Sequence, residues 1–162
     1  MVAEPSVAEL YASSYRRLVG VVSLVAGGPG EAEECVQEAF VRLLERWPVV
    51  SRYDDPEAWV RLVAIRMLSN RTRQARNAVR AVRRHGTPGA APAPNGDGLD
   101  VAAALRRLPV GQRQVLVLHH LIGLSVVEVA DALQLPSGTV KSRLSRGRAA
   151  LLPLLREEIS HA

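Results

Sequence analysis

Apolar residues in this chain return every three or four positions and nowhere alternate for long. That is the period of helices buried along one stripe, not of half-buried strands. Val7, Leu10, Tyr11, Leu18, Val22 and Val25 trace the first stripe. Ser6 and Glu9, after Pro5, have the spacing of a capping box at its start, and Gly27 and Gly28 end it. A second stripe through Ala32, Cys35, Val36, Ala39, Phe40, Leu43, Leu44 and Trp47 predicts a helix over about 31–47 that Pro48 terminates. Glu31, Glu33 and Glu34 at its head suit the positive end of the helix dipole. A third helix is predicted with Asp55 as N-cap, Pro56 in the first helical position and Trp59, Leu62 and Val63 facing inward.

The third helix runs into an arginine-rich stretch containing Arg66, Arg71, Arg73, Arg76, Arg80, Arg83 and Arg84. The pattern then lapses. From Gly86 to Gly98 the chain reads GTPGAAPAPNGDG, with no aliphatic side chain larger than alanine, which is the composition of an extended, flexible linker. Helical periodicity resumes near Leu99, with breaks at Pro109, at Gly123 to Ser125 and at Leu135 to Ser137. The prediction is an all-α chain of two small helical domains, residues 1–85 and 99–162, joined by a Gly/Pro/Ala linker over 86–98, with no internal repeat.

The second domain carries the sharpest local signal. Ser125 and Glu128 form another capping-box pattern, ahead of a short helix with Val126, Val129, Ala130 and Leu133 inward. Leu135, Pro136 and Ser137 make a turn from which Ser137 is expected to cap the next helix. Two short helices joined in this way form a helix-turn-helix, whose second helix enters the major groove of DNA. At about 100° per residue, Val140, Leu144 and Gly147 face the first motif helix, while Ser142, Ser145 and Arg146 point towards the groove. Lys141, Arg143 and Arg148 fall on the flanks, and Thr139 near the helix start, all in positions to meet phosphates. Arg146 is the candidate for reading guanine, because its fork matches the two major-groove acceptors of that base.

Composition narrows the picture further. The net charge of +5 favours a polyanionic partner, and nearly all the positive charge is arginine, Lys141 being the one lysine. Aromatic residues make up 4% and apolar residues 48% of the chain, mostly Ala, Val and Leu, in keeping with helices rather than sheets. The single cysteine, Cys35, excludes an internal disulfide and any cysteine-based zinc site within one chain, and its place on an apolar stripe makes it a small core residue. His85, His119, His120 and His161 have neither ligand nor triad spacing, and no glycine motif cradles a phosphate, so neither enzymatic activity nor a cofactor is expected. No apolar run reaches the roughly 18 residues that span a bilayer, and the N-terminus has no basic-then-apolar signal pattern, so a cytosolic protein is expected.

With these motifs in place, the chain resembles the extracytoplasmic-function sigma factors of bacterial RNA polymerase. LRRLPVGQRQVLVLHHLIGLSVVEVADALQLPSGTVKSRLSRGRAAL, from Leu105 to Leu151, resembles the family's fourth region, which reads the upstream promoter element. The resemblance implies promoter-reading roles for Lys141, Ser142, Ser145 and Arg146. AEECVQEAFVRLLERW resembles the acidic helix of the second region that docks on the polymerase, which implies a docking face of Glu34, Gln37, Glu38, Arg42 and Glu45. The stretch from Tyr53 to Arg73 corresponds to the segment that captures melted bases of the downstream element. Tyr53, Arg61, Arg66, Asn70, Arg71 and Arg73 are the residues implied there, with the loop from Val49 to Asp55 offering a pocket for an unstacked base. Trp47 and Trp59 lie on apolar stripes and are read as core.

The chain departs from the family pattern at Arg66, where asparagine is common, and at Gln134, where a glycine often precedes the motif turn. Core RNA polymerase and promoter DNA are the implied partners, with an anti-sigma factor as a further one, and no extra C-terminal regulatory domain is expected. The competing reading is a free-standing helix-turn-helix regulator. It is disfavoured because neither a dimerisation helix nor a ligand-sensing domain is evident.

Overall fold

The computed structural model describes residues 5–82 and 101–161. The expected linker at 86–98, Arg83, Arg84, His85 and the expected helix start at Leu99 lie outside the described residues. Within them, α1 (Val7–Ala26), α2 (Pro29–Val50) and α3 (Pro56–Val82) form a first lobe. The second comprises α4 (Val101–Arg106), α5 (Val110–Leu116), a π-helical turn at Val117–Leu121, α6 (Val126–Leu133) and α7 (Ser137–His161).

The caps explain where the first-lobe helices start and stop. The Ser6 hydroxyl accepts from the Glu9 N–H at 3.2 Å, and the Glu9 carboxylate accepts from the Ser6 N–H at 2.8 Å. Gly27 ends α1 in the left-handed region at φ 87°, its N–H bonded to the Ser23 carbonyl. Asp55 accepts from the Ala58 N–H at 2.9 Å and so caps α3. The core of this lobe is built from Leu18, Val22 and Val25 of α1, Ala32, Cys35, Val36, Ala39, Phe40 and Leu43 of α2, and Val60, Ala64, Ile65 and Leu68 of α3.

The structure departs from the sequence reading in several places. Pro48 does not stop α2, which continues to Val50, the Ser51 N–H bonding to the Trp47 carbonyl beyond the proline. A proline removes its own N–H bond, but the packing of Val50 on the core holds the last turn in place. Leu44 is 63% exposed, because Leu43 already occupies the buried seam and the next residue stands about 100° further round. On α3, Trp59, Leu62 and Val63 are only half-buried, and the inward face is that of Val60, Ala64, Ile65, Met67 and Leu68. Trp47 is half-buried as well.

In the second lobe α7 packs against α4, α5 and α6. Val140 and Leu144 are buried, and Gly147 lets α7 approach α5, since a Cβ there would stand 3.0 Å from the Leu116 Cδ1. The Ser125 and Glu128 capping box of α6 is closed in both directions, at 3.1 and 2.7 Å. Ser137 is itself the first residue of α7. The N-terminal carbonyl partner is instead Pro136, whose oxygen accepts from the N–H groups of Thr139 and Val140.

The two lobes touch. α1 meets α4, α5 and the π turn, and α3 meets α6. The central contact is Arg113 of α5, which is 6% exposed and donates to the Val25 carbonyl at 3.1 Å and the Ala26 carbonyl at 3.0 Å. A cation there satisfies orphan carbonyls at the negative end of α1. The guanidinium lies so close over Gly27 that a Cβ on that residue would stand 3.0 Å from the Arg113 Cζ.

Candidate nucleic-acid interface

The surface of α7 that turns away from the core is built by the motif in front of it. Val129, Ala130 and Leu133 of α6 bury against Val140 and Leu144, which leaves Lys141, Ser142, Ser145, Arg146 and Arg148 exposed. Ser142 donates its hydroxyl to the Thr139 carbonyl at 3.1 Å, and Thr139 is half-buried. Arg148 lies 3.3 Å from the Nε2 of His120 on the π turn. Burial, then the neighbouring His119, then Arg148 push the His120 imidazole below its ordinary value.

Arg143 is placed differently from the other basic residues of α7. It is half-buried and turned back over Gly111, whose added Cβ would meet the Arg143 Nη1 at 2.9 Å. Burial first, then Arg76 of the other lobe, lower its affinity for the proton.

On α3 and the turn before it the implied residues divide. Tyr53 is exposed in the turn that follows α2, Asn70 is exposed, and Arg61 is half-buried. Val49 and Val50, expected in a loop, still belong to α2. Arg66 is ion-paired with Asp131 of α6 at 2.7 Å, and Arg73 donates to the Leu133 carbonyl at 3.1 Å, so both reach across to the helix-turn-helix. Arg71 instead pairs with Glu34 of α2 at 2.8 Å.

Glu34, Gln37, Glu38, Arg42 and Glu45 form an exposed stripe along α2, beside the exposed Val41 and Leu44. Gln37 donates to the Tyr15 hydroxyl at 3.2 Å, and Glu38 pairs with Arg42 one turn on at 3.4 Å. Sequence reasoning missed Arg113 and Asp131 as contacts between lobes. Arg113 carried one signal, a charged residue two positions ahead of the apolar run VLVL, but its partners lie far away in sequence.

A helix-turn-helix with a basic outward helix, tethered to a second helical lobe with a charged stripe and an arginine-rich long helix, defines a DNA-binding protein of the transcription machinery. Comparison with known proteins specifies which one. The family profile described as Sigma-70 region 2 matches residues 10–78, and that described as Sigma-70, region 4 matches residues 99–151. The ECF RNA polymerase sigma factor SigL of Mycobacterium tuberculosis is 33% identical over 140 residues, covering 82% of this chain and 79% of that one. Among solved structures, the sigma factor RpoE of Bartonella quintana in complex with the anti-sigma factor NepR has a TM-score of 0.65 at 22% identity, covering 91% of this chain and 95% of that one. CnrH in complex with the cytosolic domain of CnrY has a TM-score of 0.54 at 25% identity, covering 93% and 88%.

The chain belongs to the extracytoplasmic-function sigma factors, which bind RNA polymerase and direct transcription initiation without catalysing a reaction themselves. Membership decides against a free-standing regulator. Among the described residues no helix is long and apolar enough to cross a membrane.

Proposed function

We propose that the two lobes divide promoter recognition between them, with residues 1–85 holding the polymerase and the downstream element and residues 99–162 reading the upstream element. The observation that carries this reading is the exposed face of α7, where Lys141, Ser142, Ser145 and Arg146 stand together over a buried seam of Val140 and Leu144. Arg146 reads a guanine, and Lys141, Arg148 and Thr139 hold phosphates. Arg143 joins them once it leaves its place against Gly111.

In the first lobe Tyr53, Arg61, Arg66, Asn70, Arg71 and Arg73 hold the melted downstream strand, and Glu34, Gln37, Glu38, Arg42 and Glu45 dock on the polymerase. Arg66 and Arg73 are engaged with α6 here, so strand capture requires the lobes to part. An anti-sigma factor is the proposed inhibitor, a reading supported by the solved complex of the structurally similar RpoE. The site of action is the cytoplasm, where the polymerase and its template lie.

The test is reconstituted transcription. Purified protein, core polymerase and a randomised promoter library should yield starts behind a shared two-part motif that are absent without the protein. Starts sharing only one element would remove one lobe from the reading.

A further inference from the structure

Between α3 and the helix-turn-helix lies a cleft of about 180 Å³. Arg73, Arg76 and Arg80 of α3 stand three and four positions apart, which sets them on one helix face, and all three line the cleft. Arg143 of α7 enters from the other lobe, and Gln114 of α5 forms part of the wall. No carboxylate lines this space among the described residues.

Arg76 and Arg80 make neither an ion pair nor a hydrogen bond among the described residues, and Arg143 is crowded by Arg76. Gln114 of the wall is 6% exposed and makes no side-chain hydrogen bond among the described residues, its amide remaining open to the cleft. Convergent guanidinium groups with no counter-charge at the cleft repel one another, and a multivalent anion relieves that repulsion, since its oxygens accept from several planar forks and from the Gln114 amide N–H.

We propose that this cleft is a binding site for a small anion of phosphate chemistry, which bridges α3 to α7 and holds the lobes in the arrangement seen. Occupancy keeps Arg143 turned away from DNA and Arg73 on the Leu133 carbonyl. The same chemistry is offered by a free diphosphate group and by the phosphates of a nucleic-acid strand. The small size of the cleft and its position between two lobes favour the free group.

The test uses the full chain without polymerase, so its failure leaves the sigma-factor assignment untouched. Inorganic pyrophosphate is titrated by calorimetry at fixed ionic strength, with sulfate and a short single-stranded oligonucleotide as comparison arms. Pyrophosphate is expected to bind at one site and to raise the melting temperature. Arg76→Gln and Arg80→Gln, exposed positions that leave the core intact, should each weaken binding about tenfold. Arg156→Gln, which removes the same charge from the far end of α7, should leave it unchanged. Equal weakening by Arg156→Gln would reduce the effect to diffuse attraction and overturn the site. Binding of the oligonucleotide alone would assign the arginines to nucleic acid and overturn it as well.

Discussion

At the scale of single residues, similar side chains on one helix have opposite surroundings. Arg146 projects from α7 into solvent, whereas Arg143, three positions earlier, is folded back against α5 and the other lobe. Arg146→Ala should therefore lose about 1–3 kcal/mol of discrimination at one base pair of the upstream element. Lys141→Ala should weaken binding to all sequences alike and lower the salt slope by about one. Affinities for a set of single-base promoter variants at several salt concentrations separate the two.

His120 supplies a pH signature. Its folded-state affinity for the proton is lowered by burial, His119 and Arg148, so the unfolded chain takes up the proton more readily. The associated stability is complete above the unfolded value of about 6.5 and is lost as pH falls from there through the lower folded-state value. Melting temperatures of the parent should decline as pH falls below about 6.5, and His120→Gln should flatten that decline. The effect is small, because the ring is largely exposed.

At the scale of elements, the motif turn carries a local conflict. Gln134 ends α6 at φ 54°, in the left-handed region, the one non-glycine residue to do so among the described residues. An L side chain there costs on the order of 1 kcal/mol, which explains why glycine suits this position. Gln134 recovers part of the cost by donating its amide to the Asp131 carbonyl at 2.8 Å. Gln134→Gly should raise stability by up to about 1 kcal/mol in urea unfolding, with the helix-turn-helix geometry unchanged. A drop in stability would show that the side-chain bond outweighs the strain. The starts of α1 and α6 were legible from their capping boxes, because those bonds close within three residues. The end of α2 was not, because a proline signals a break that the core packing of Val50 overrides.

At the scale of the whole molecule, Arg113 makes the most deeply buried of the side-chain hydrogen bonds between the two lobes. Burial, followed by Arg106 nearby, lowers its affinity for the proton, and its hydrogen bonds to the last carbonyls of α1 answer the cost of enclosing the charge. Arg113→Met keeps the stem and removes the guanidinium. It should destabilise the contact between lobes by roughly 2–3 kcal/mol and increase the radius of gyration in small-angle scattering. An unchanged radius would place the closed arrangement on the α3–α6 contacts instead. The Arg66–Asp131 pair is exposed and contributes at most about 1 kcal/mol, so on its own it does not hold the lobes together.

The sequence by itself determined the helical class, the two units, the two capping boxes and the outward face of α7. Each of these is written in residues a few positions apart, where periodicity and capping act within a single helix. The tertiary structure alone decided the pairing of Arg66 with Asp131, the reach of Arg73 to Leu133, the burial of Arg113 under the end of α1 and the meeting of Arg143 with Arg76. A long arginine reads the same in sequence whether it faces DNA or a carbonyl some sixty residues away. Only the packing of one lobe on the other fixes which acceptor lies within its reach.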